Sequence, residues 1–267
     1  MINMLMSFSG DDAVFGHFGA VGGYALAARR AMHQFGTGPE TWKQIALGQR
    51  QWAHLNPIAM MHDKPITAAD YDNARWIVEP LRRPDNCLIT DGGRAIIVTS
   101  LERARDLKQP PAVIMGMGTH NPPTAIAQSD WMAGPSGARR AGQAALAMAD
   151  ITLGEVDACQ IYDCFTYTVE LTLQDYGFFK PGEGRDWFHG GTIEPGGRMP
   201  VNTSGGQLSE AYFMGLTPIT EGAMQIMGRC GQRQLGPATQ TRTPEIILCC
   251  DNGGILQSHA TILLRRL

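Results

Sequence analysis

The sequence predicts an α/β protein built in layers. Two observations carry this. From about residue 109 onward, short buried-strand runs alternate with segments of helical periodicity, and a chain of 267 residues that is 43% hydrophobic and 18% charged is long enough to bury a sizeable core.

The elements follow in order. Residues 24–35 and 40–54 read as helices, the first Ala-rich, the second with Trp42, Ile45, Ala46, Trp52 and Ala53 at roughly helical spacing and stopped by Asn56-Pro57. A polar, proline-interrupted stretch leads to Asp91-Gly92-Gly93, after which residues 95–99 form a buried-strand run and 101–107 a short helix, with Pro110-Pro111 as a joint. Beyond the joint, strands over 112–117 and 158–162 alternate with helices over 136–149 and 166–176. Gly-rich loops over 180–206 lead to a helix begun by Thr217-Pro218 and ending near Gly228. Two last strands, 245–250 and 259–264, flank Asp251-Asn252-Gly253-Gly254, a strong turn signal. Residues 1–108 differ from the rest of the chain: their one clear strand, 95–99, cannot close a sheet of its own and needs strands from elsewhere.

Charge and composition exclude several classes of function. The net charge of -3 and the lack of Lys/Arg runs argue against nucleic acid or anionic membrane as partners. No uncharged apolar run reaches the ~18 residues of a membrane span. The apolar opening, residues 1–8, has no basic lead and runs into Gly10-Asp11-Asp12, unlike a signal peptide. Six cysteines (87, 159, 164, 230, 249, 250) form no Cys-x-x-Cys or His/Cys ligand pair, so a reducing cytoplasm and no structural metal are expected.

Three widely separated segments carry a resemblance to the thiolase superfamily. Asp157-Ala158-Cys159-Gln160-Ile161-Tyr162-Asp163-Cys164-Phe165 is similar to the strand and loop where thiolases place Asn-Glu-Ala-Phe and sterol-carrier thiolases His-Asp-Cys-Phe. Pro200-Val201-Asn202-Thr203-Ser204-Gly205-Gly206 resembles the turn that precedes the thiolase Gly-His-Pro, and Asp251-Asn252-Gly253-Gly254 falls at the family's last Gly-rich catalytic loop. His54-Leu55-Asn56-Pro57, Gly182-Glu183-Gly184 and Glu221 add weaker matches. The sterol-carrier and lipid-transfer branch fits better than the fatty-acid thiolases. The resemblance implies a thiolase-like layered αβαβα fold, with residues 109–267 as the C-terminal thiolase domain and 1–108 as the loop region and end of an incomplete N-terminal half.

The departures bear on the reaction. Counted from Asn202, the thiolase histidine falls on Tyr212, and the Asn or His of the other loop falls on Tyr162. This pair is similar to the thiolase-like aldolases of steroid side-chain degradation. No acyl-accepting cysteine in thiolase context occurs before residue 109, so the gene is split, the chain is truncated, or the nucleophile is unused; a retro-aldol cleavage needs no covalent acyl-enzyme. The implied function is a retro-aldolase on a β-hydroxyacyl-CoA, with a steroid side chain or another bulky group, giving a ketone or aldehyde and a short acyl-CoA such as propionyl-CoA. The rivals are a β-ketoacyl-CoA thiolase or acyltransferase whose cysteine lies on a missing or separate N-terminal segment, and a non-catalytic lipid-binding or scaffold subunit. Coenzyme A enters as part of the substrate, with no other cofactor. A homodimer core, a separate N-terminal thiolase half and a small OB-fold, zinc-ribbon protein are the implied partners.

Chemistry then ranks the residues. Tyrosine, with an ordinary pKa near ~10, serves readily as an acid and needs a shift to serve as a base, so one of Tyr162 and Tyr212 would take the hydroxyl proton and the other supply the enolate's. A lone tyrosine is more often a half-buried aromatic; two on mapped positions favour function. Cys164 suits enolate protonation or is a buried small hydrophobe, and both readings stay open. Cys250 reads as core strand. Gly253 and Gly254 offer backbone amides as oxyanion donors. Asn202 reads first as turn chemistry, and Gly205 and Gly206 as either close approach to ligand or packing. His259 reads as a satisfied core or interface histidine, His54 as part of a helix end, His189 as solvated. Arg29, Arg30, Arg82 and Arg83 read as a solvated face rather than phosphate ligands.

Overall fold

The structure is a computed structural model that describes residue 14 and residues 19–121 and 134–267; the opening residues 1–8 and Gly10-Asp11-Asp12 lie outside these. Helices α1 (Ala20–Phe35) and α2 (Pro39–His54) lie where the Ala-rich and Trp-bearing periodicities predict them, α2 opening on a proline at its first turn. A short helix α3 (Ala68–Asp72) follows, held by a capping box between Thr67 and Asp70, then a small hairpin of β1 (Trp76–Val78) and β2 (Leu81–Arg82) and a short helix α4 (Leu101–Arg105).

The C-terminal part is organised by β3 (Ala112–His120), β4 (Ala158–Ile161), β5 (Ile246–Gly253) and β6 (Ser258–Arg266), in the sheet order β3-β6-β5-β4. β4 and β5 run parallel and the other pairs antiparallel. Helix α5 (Gly137–Ala149) covers one face and α9 (Leu216–Ile226) the other. Strand alternation decides which residues meet which helix: Gly116, Gly118, Leu263, Leu248 and Cys250 share the face of α5, while Ile247, Cys249 and Leu264 turn toward α9. Helix α6 (Thr166–Tyr176) is buried on all sides from Thr166 to Asp175, because α2 and α5 pack against it. Two short helices, α7 (Gly184–Phe188) and α8 (Gly206–Ser209), punctuate the Gly-rich loops. A continuous core joins Tyr24, Ala27, Trp42 and Ile45 from α1 and α2 to Cys159, Val169, Leu248 and Leu263, so residues on both sides of position 108 share it.

Two expectations are corrected. Residues 95–99 form no strand, and Ile97 is 91% and Val98 75% exposed, because the described sheet offers the run no neighbour. The turn expected at 251–254 falls later, since Asp251, Asn252 and Gly253 pair with Ala260, His259 and Ser258 and extend β5 to its end. Residues 254–257 make the bend, with Gly254, Ile255 and Leu256 at positive φ. No helix among the described residues is long and apolar enough to cross a membrane.

Candidate active site

Tyr162 and Tyr212 meet. Their hydroxyl oxygens lie 2.8 Å apart and their rings pack edge to face with centroids 6.3 Å apart. Tyr162 stands where β4 ends: its N–H donates to the Cys250 carbonyl at 3.1 Å, continuing the parallel ladder one residue past the strand, and the Thr168 hydroxyl donates to its carbonyl. Tyr212 stands on the loop after α8, and that loop is clamped. Its N–H donates to Thr90 Oγ1 at 2.9 Å, the Thr90 hydroxyl donates back to the Tyr212 carbonyl at 3.1 Å, and the buried Glu210 carboxylate pairs with Arg94, whose guanidinium lies 5.0 Å from the centre of the Phe213 ring.

Burial is the main force on both hydroxyls. It pushes the Tyr162 pKa far above the ordinary phenol value, with Cys164 and the bond to Tyr212 pushing the same way. Tyr212 is raised too, by its burial first, but there the bond from Tyr162 pulls downward. Burial thus keeps both hydroxyls protonated near neutral pH.

Cys164 joins them. It is 5% exposed, and its thiol pKa is raised by burial first and by neighbouring Cys87 next, while Tyr24 and Thr168 lower it. Tyr24, on α1, is a third phenol of the same cluster: its ring packs against Phe165, tilted by 38° with centroids 4.6 Å apart, its hydroxyl donates to Asn252 Oδ1 at 3.0 Å, and both Cys164 and Tyr212 act on it electrostatically. Tyr24, Thr90 and Arg94 are absent from the residues singled out in the sequence, and Asn252 enters there only as part of the Asp251-Asn252-Gly253-Gly254 segment. No local pattern separates Tyr24 from an ordinary core tyrosine, and Thr90 and Arg94 merely flank the Asp91-Gly92-Gly93 turn.

The other candidates stand behind this cluster. Asn202, at φ 53°, accepts the Ile161 N–H at 2.6 Å and so ties the turn to the end of β4, as turn chemistry predicts. Gly205 and Gly206 also sit at positive φ and are pressed into place: a Cβ on Gly205 would lie 2.7 Å from that of Ala53, and one on Gly206 2.1 Å from the Asp163 carboxylate. Asp163 in turn accepts the N–H groups of Gln207 and Leu208. Gly253 is the last residue of β5 and Gly254 the exposed start of the bend. Cys250 is 1% exposed in the core. His54 and His189 are exposed, and Arg29 pairs with Glu79 on the surface. His259 is 2% exposed; neither ring nitrogen makes a hydrogen bond of good geometry, although the Leu256 backbone lies near enough to favour its charged form.

Several known proteins are similar to this chain. A family model described as thiolase C-terminal domain-like matches residues 118–266. A steroid side-chain-cleaving aldolase of Thermomonospora curvata is 39% identical over 209 residues, 76% of this chain and 53% of that protein. A 17-hydroxy-3-oxo-4-pregnene-20-carboxyl-CoA lyase of Mycobacterium tuberculosis is 40% identical over 208 residues, 76% of this chain and 54% of that one. The chain thus spans about half the length of these curated relatives. The solved structure of the Ltp2-ChsH2(DUF35) aldolase superposes with a TM-score of 0.87 at 33% identity, covering 97% of this chain and 68% of that one.

Proposed function

The chain belongs to the thiolase family, as a C-terminal domain-like member with the thiolase-like fold, and from that premise we propose that it carries the proton-transfer half of a retro-aldolase acting on a β-hydroxyacyl-CoA. The single observation behind this is the Tyr162–Tyr212 hydroxyl pair at 2.8 Å. Cleavage breaks the bond between the α- and β-carbons, leaves a ketone or aldehyde and a thioester enolate, and moves one proton in total, from the β-hydroxyl to the α-carbon. Two phenols joined by a hydrogen bond can carry that transfer. One oxygen accepts the substrate proton as its own passes to the second tyrosine, whose proton goes to the α-carbon. Neither residue needs to rest as a phenolate, which suits hydroxyls kept protonated by burial.

The relatives named for steroid side-chain cleavage and for a carboxyl-CoA substrate support a bulky steroid acyl group; we take a short acyl-CoA as the second product. The aldolase structure named for two components supports work with a second protein, which we identify with the small OB-fold, zinc-ribbon partner, around a homodimer core. Six free cysteines fit a reducing cytoplasm. We assign residues 1–108 to the loop region and end of the N-terminal half, and 109–267 to the C-terminal domain.

The test is Tyr212→Phe, which keeps the ring. Cleavage should fall by at least ~10²-fold with acyl-CoA affinity little changed, Tyr162→Phe should match it, and the double variant should lose less than the product of the two. Tyr212→His should gain no thiolysis of a β-ketoacyl-CoA. Wild-type cleavage by Tyr212→Phe, under conditions where chemistry limits the rate, overturns the relay.

A further inference from the structure

A buried histidine with both ring nitrogens unpaired is a costly arrangement unless something else meets them. His259 is in that state, and it lines a cavity of about 250 Å³ at the ends of β3, β5 and β6, with Thr119, Asn121, Asn252 and Gly253 around it. Asn252, 5% exposed, is directly opposite His259 in the β5–β6 register, so the two side chains rise from the same face of the sheet about 5 Å apart at their Cβ atoms. The Asn252 amide is oriented by Tyr24, whose hydroxyl occupies Oδ1 and leaves Nδ2 buried without a partner. Gly137, at the start of α5, seats the imidazole: a Cβ there would lie 2.9 Å from His259 Cδ2. Asp251 also lines the cavity, but its carboxylate projects from the opposite face of β5, against Gly215.

We propose that Asn252 Nδ2–H and a His259 ring N–H form the donor pair that holds a thioester carbonyl oxygen while it becomes an enolate oxyanion, an assignment that rests on the aldolase reading above. As the carbon–carbon bond breaks, its electron pair flows into the thioester, the carbonyl oxygen takes the negative charge between the two donors, and the charge returns when the tyrosine relay protonates the α-carbon. The atoms and charges balance without a further reagent. Burial holds the His259 pKa down at about 4, with His120 pushing the same way and the Leu256 backbone opposing, so the ring meets the oxyanion as a neutral donor. Neutral imidazole is a competent electrophile of this kind, and two oriented donors in a partly closed pocket are worth more than in water. Tyr24 ties the two sites together, since its hydroxyl fixes Asn252 while its ring packs on Phe165, three residues beyond Tyr162.

The experiment uses the full enzyme with its partner and two reactions: cleavage of a β-hydroxyacyl-CoA, and exchange of the α-hydrogens of propionyl-CoA in D2O, which makes and quenches the enolate without an aldol bond. Asn252→Ala and His259→Ala should each slow both reactions by ~10²- to 10³-fold while propionyl-CoA affinity stays within about threefold, and His259→Asn, which keeps a donor, should recover part of the loss. Adding propionyl-CoA should also shift the ring ¹⁵N resonances of His259 in the wild type. Variants that exchange and cleave at the wild-type rate, or ring resonances unmoved at saturation, overturn the oxyanion assignment alone. A wild type that cleaves nothing yet exchanges in a His259-dependent way overturns the aldolase reading and leaves the oxyanion site standing.

Discussion

Glu170 shows how single side chains tie stability to pH. It is buried in α6, accepts the Trp42 indole N–H at 2.7 Å and a bond from Thr37, and burial nonetheless raises its pKa to about 7. Burial likewise raises Asp163 to about 7 and Asp85 and Asp175 to about 6. In each, the folded state binds its proton more tightly than the unfolded chain, whose carboxylates titrate near pH ~4. Each of these carboxyls therefore adds stability as pH falls from about 7.5 to 5 and loses it as pH rises through its folded pKa, while His259, held down at about 4, opposes them. Glu170→Gln keeps an acceptor for Trp42 and removes one titration, so stability at pH 5 relative to pH 7.5 should fall. The effect should be on the order of 1–3 kcal/mol, read by thermal melts at both pH values. An unaltered slope would place the proton linkage elsewhere. At this scale the sequence discloses the two tyrosines, because each occupies a mapped motif position. It does not disclose Tyr24 with Asn252, which are 228 positions apart and meet only once α1 packs over the end of β5.

The elements are held at backbone distance by glycine. A Cβ on Gly116 would lie 2.3 Å from the Ala145 carbonyl oxygen, and one on Gly118 2.2 Å from that of Ala141, so β3 and the alanine face of α5 touch main chain to main chain. On the other face, a Cβ on Gly222 of α9 would lie 2.3 Å from Cys249 Sγ. The obstacle at Gly118 is backbone, which cannot swing aside. Gly118→Ala should push α5 away and destabilise by about 1–3 kcal/mol, measured by urea unfolding, with helix content retained by circular dichroism. Because Gly137 at the start of α5 seats His259, the same shift should disturb the Asn252–His259 cavity. Helix periodicity predicts α5 and α6 nearly to the residue. It cannot show that glycines on a neighbouring strand set how closely α5 approaches.

At the scale of the whole molecule, the apolar run at 95–99 is the feature that a sheet would complete. Ile97 and Val98 are largely exposed, and Ile89 is 98% exposed. A chain of these 267 residues should self-associate through this run, visible as concentration-dependent mass by light scattering. Ile97→Lys with Val98→Glu should reduce it, and a monodisperse monomer that folds cooperatively would contradict the expectation. The run begins beside Arg94, the partner of Glu210 in the clamp on Tyr212, so whatever strand covers it also bears on the candidate active site.

Sequence by itself determined the layered α/β alternation, the family resemblance and the choice of Tyr162 and Tyr212 as candidates, because each depends on local periodicity or on motifs whose spacing survives in the linear chain. Tertiary structure alone decided where the last turn falls, that the 95–99 run finds no strand, and that His259 is buried yet unsatisfied. Those outcomes depend on register and on which distant groups arrive within hydrogen-bond reach. A strand-forming run is a preference that only a neighbouring strand can realise, and a histidine in an alternating strand gives no sign of whether a partner will meet its ring.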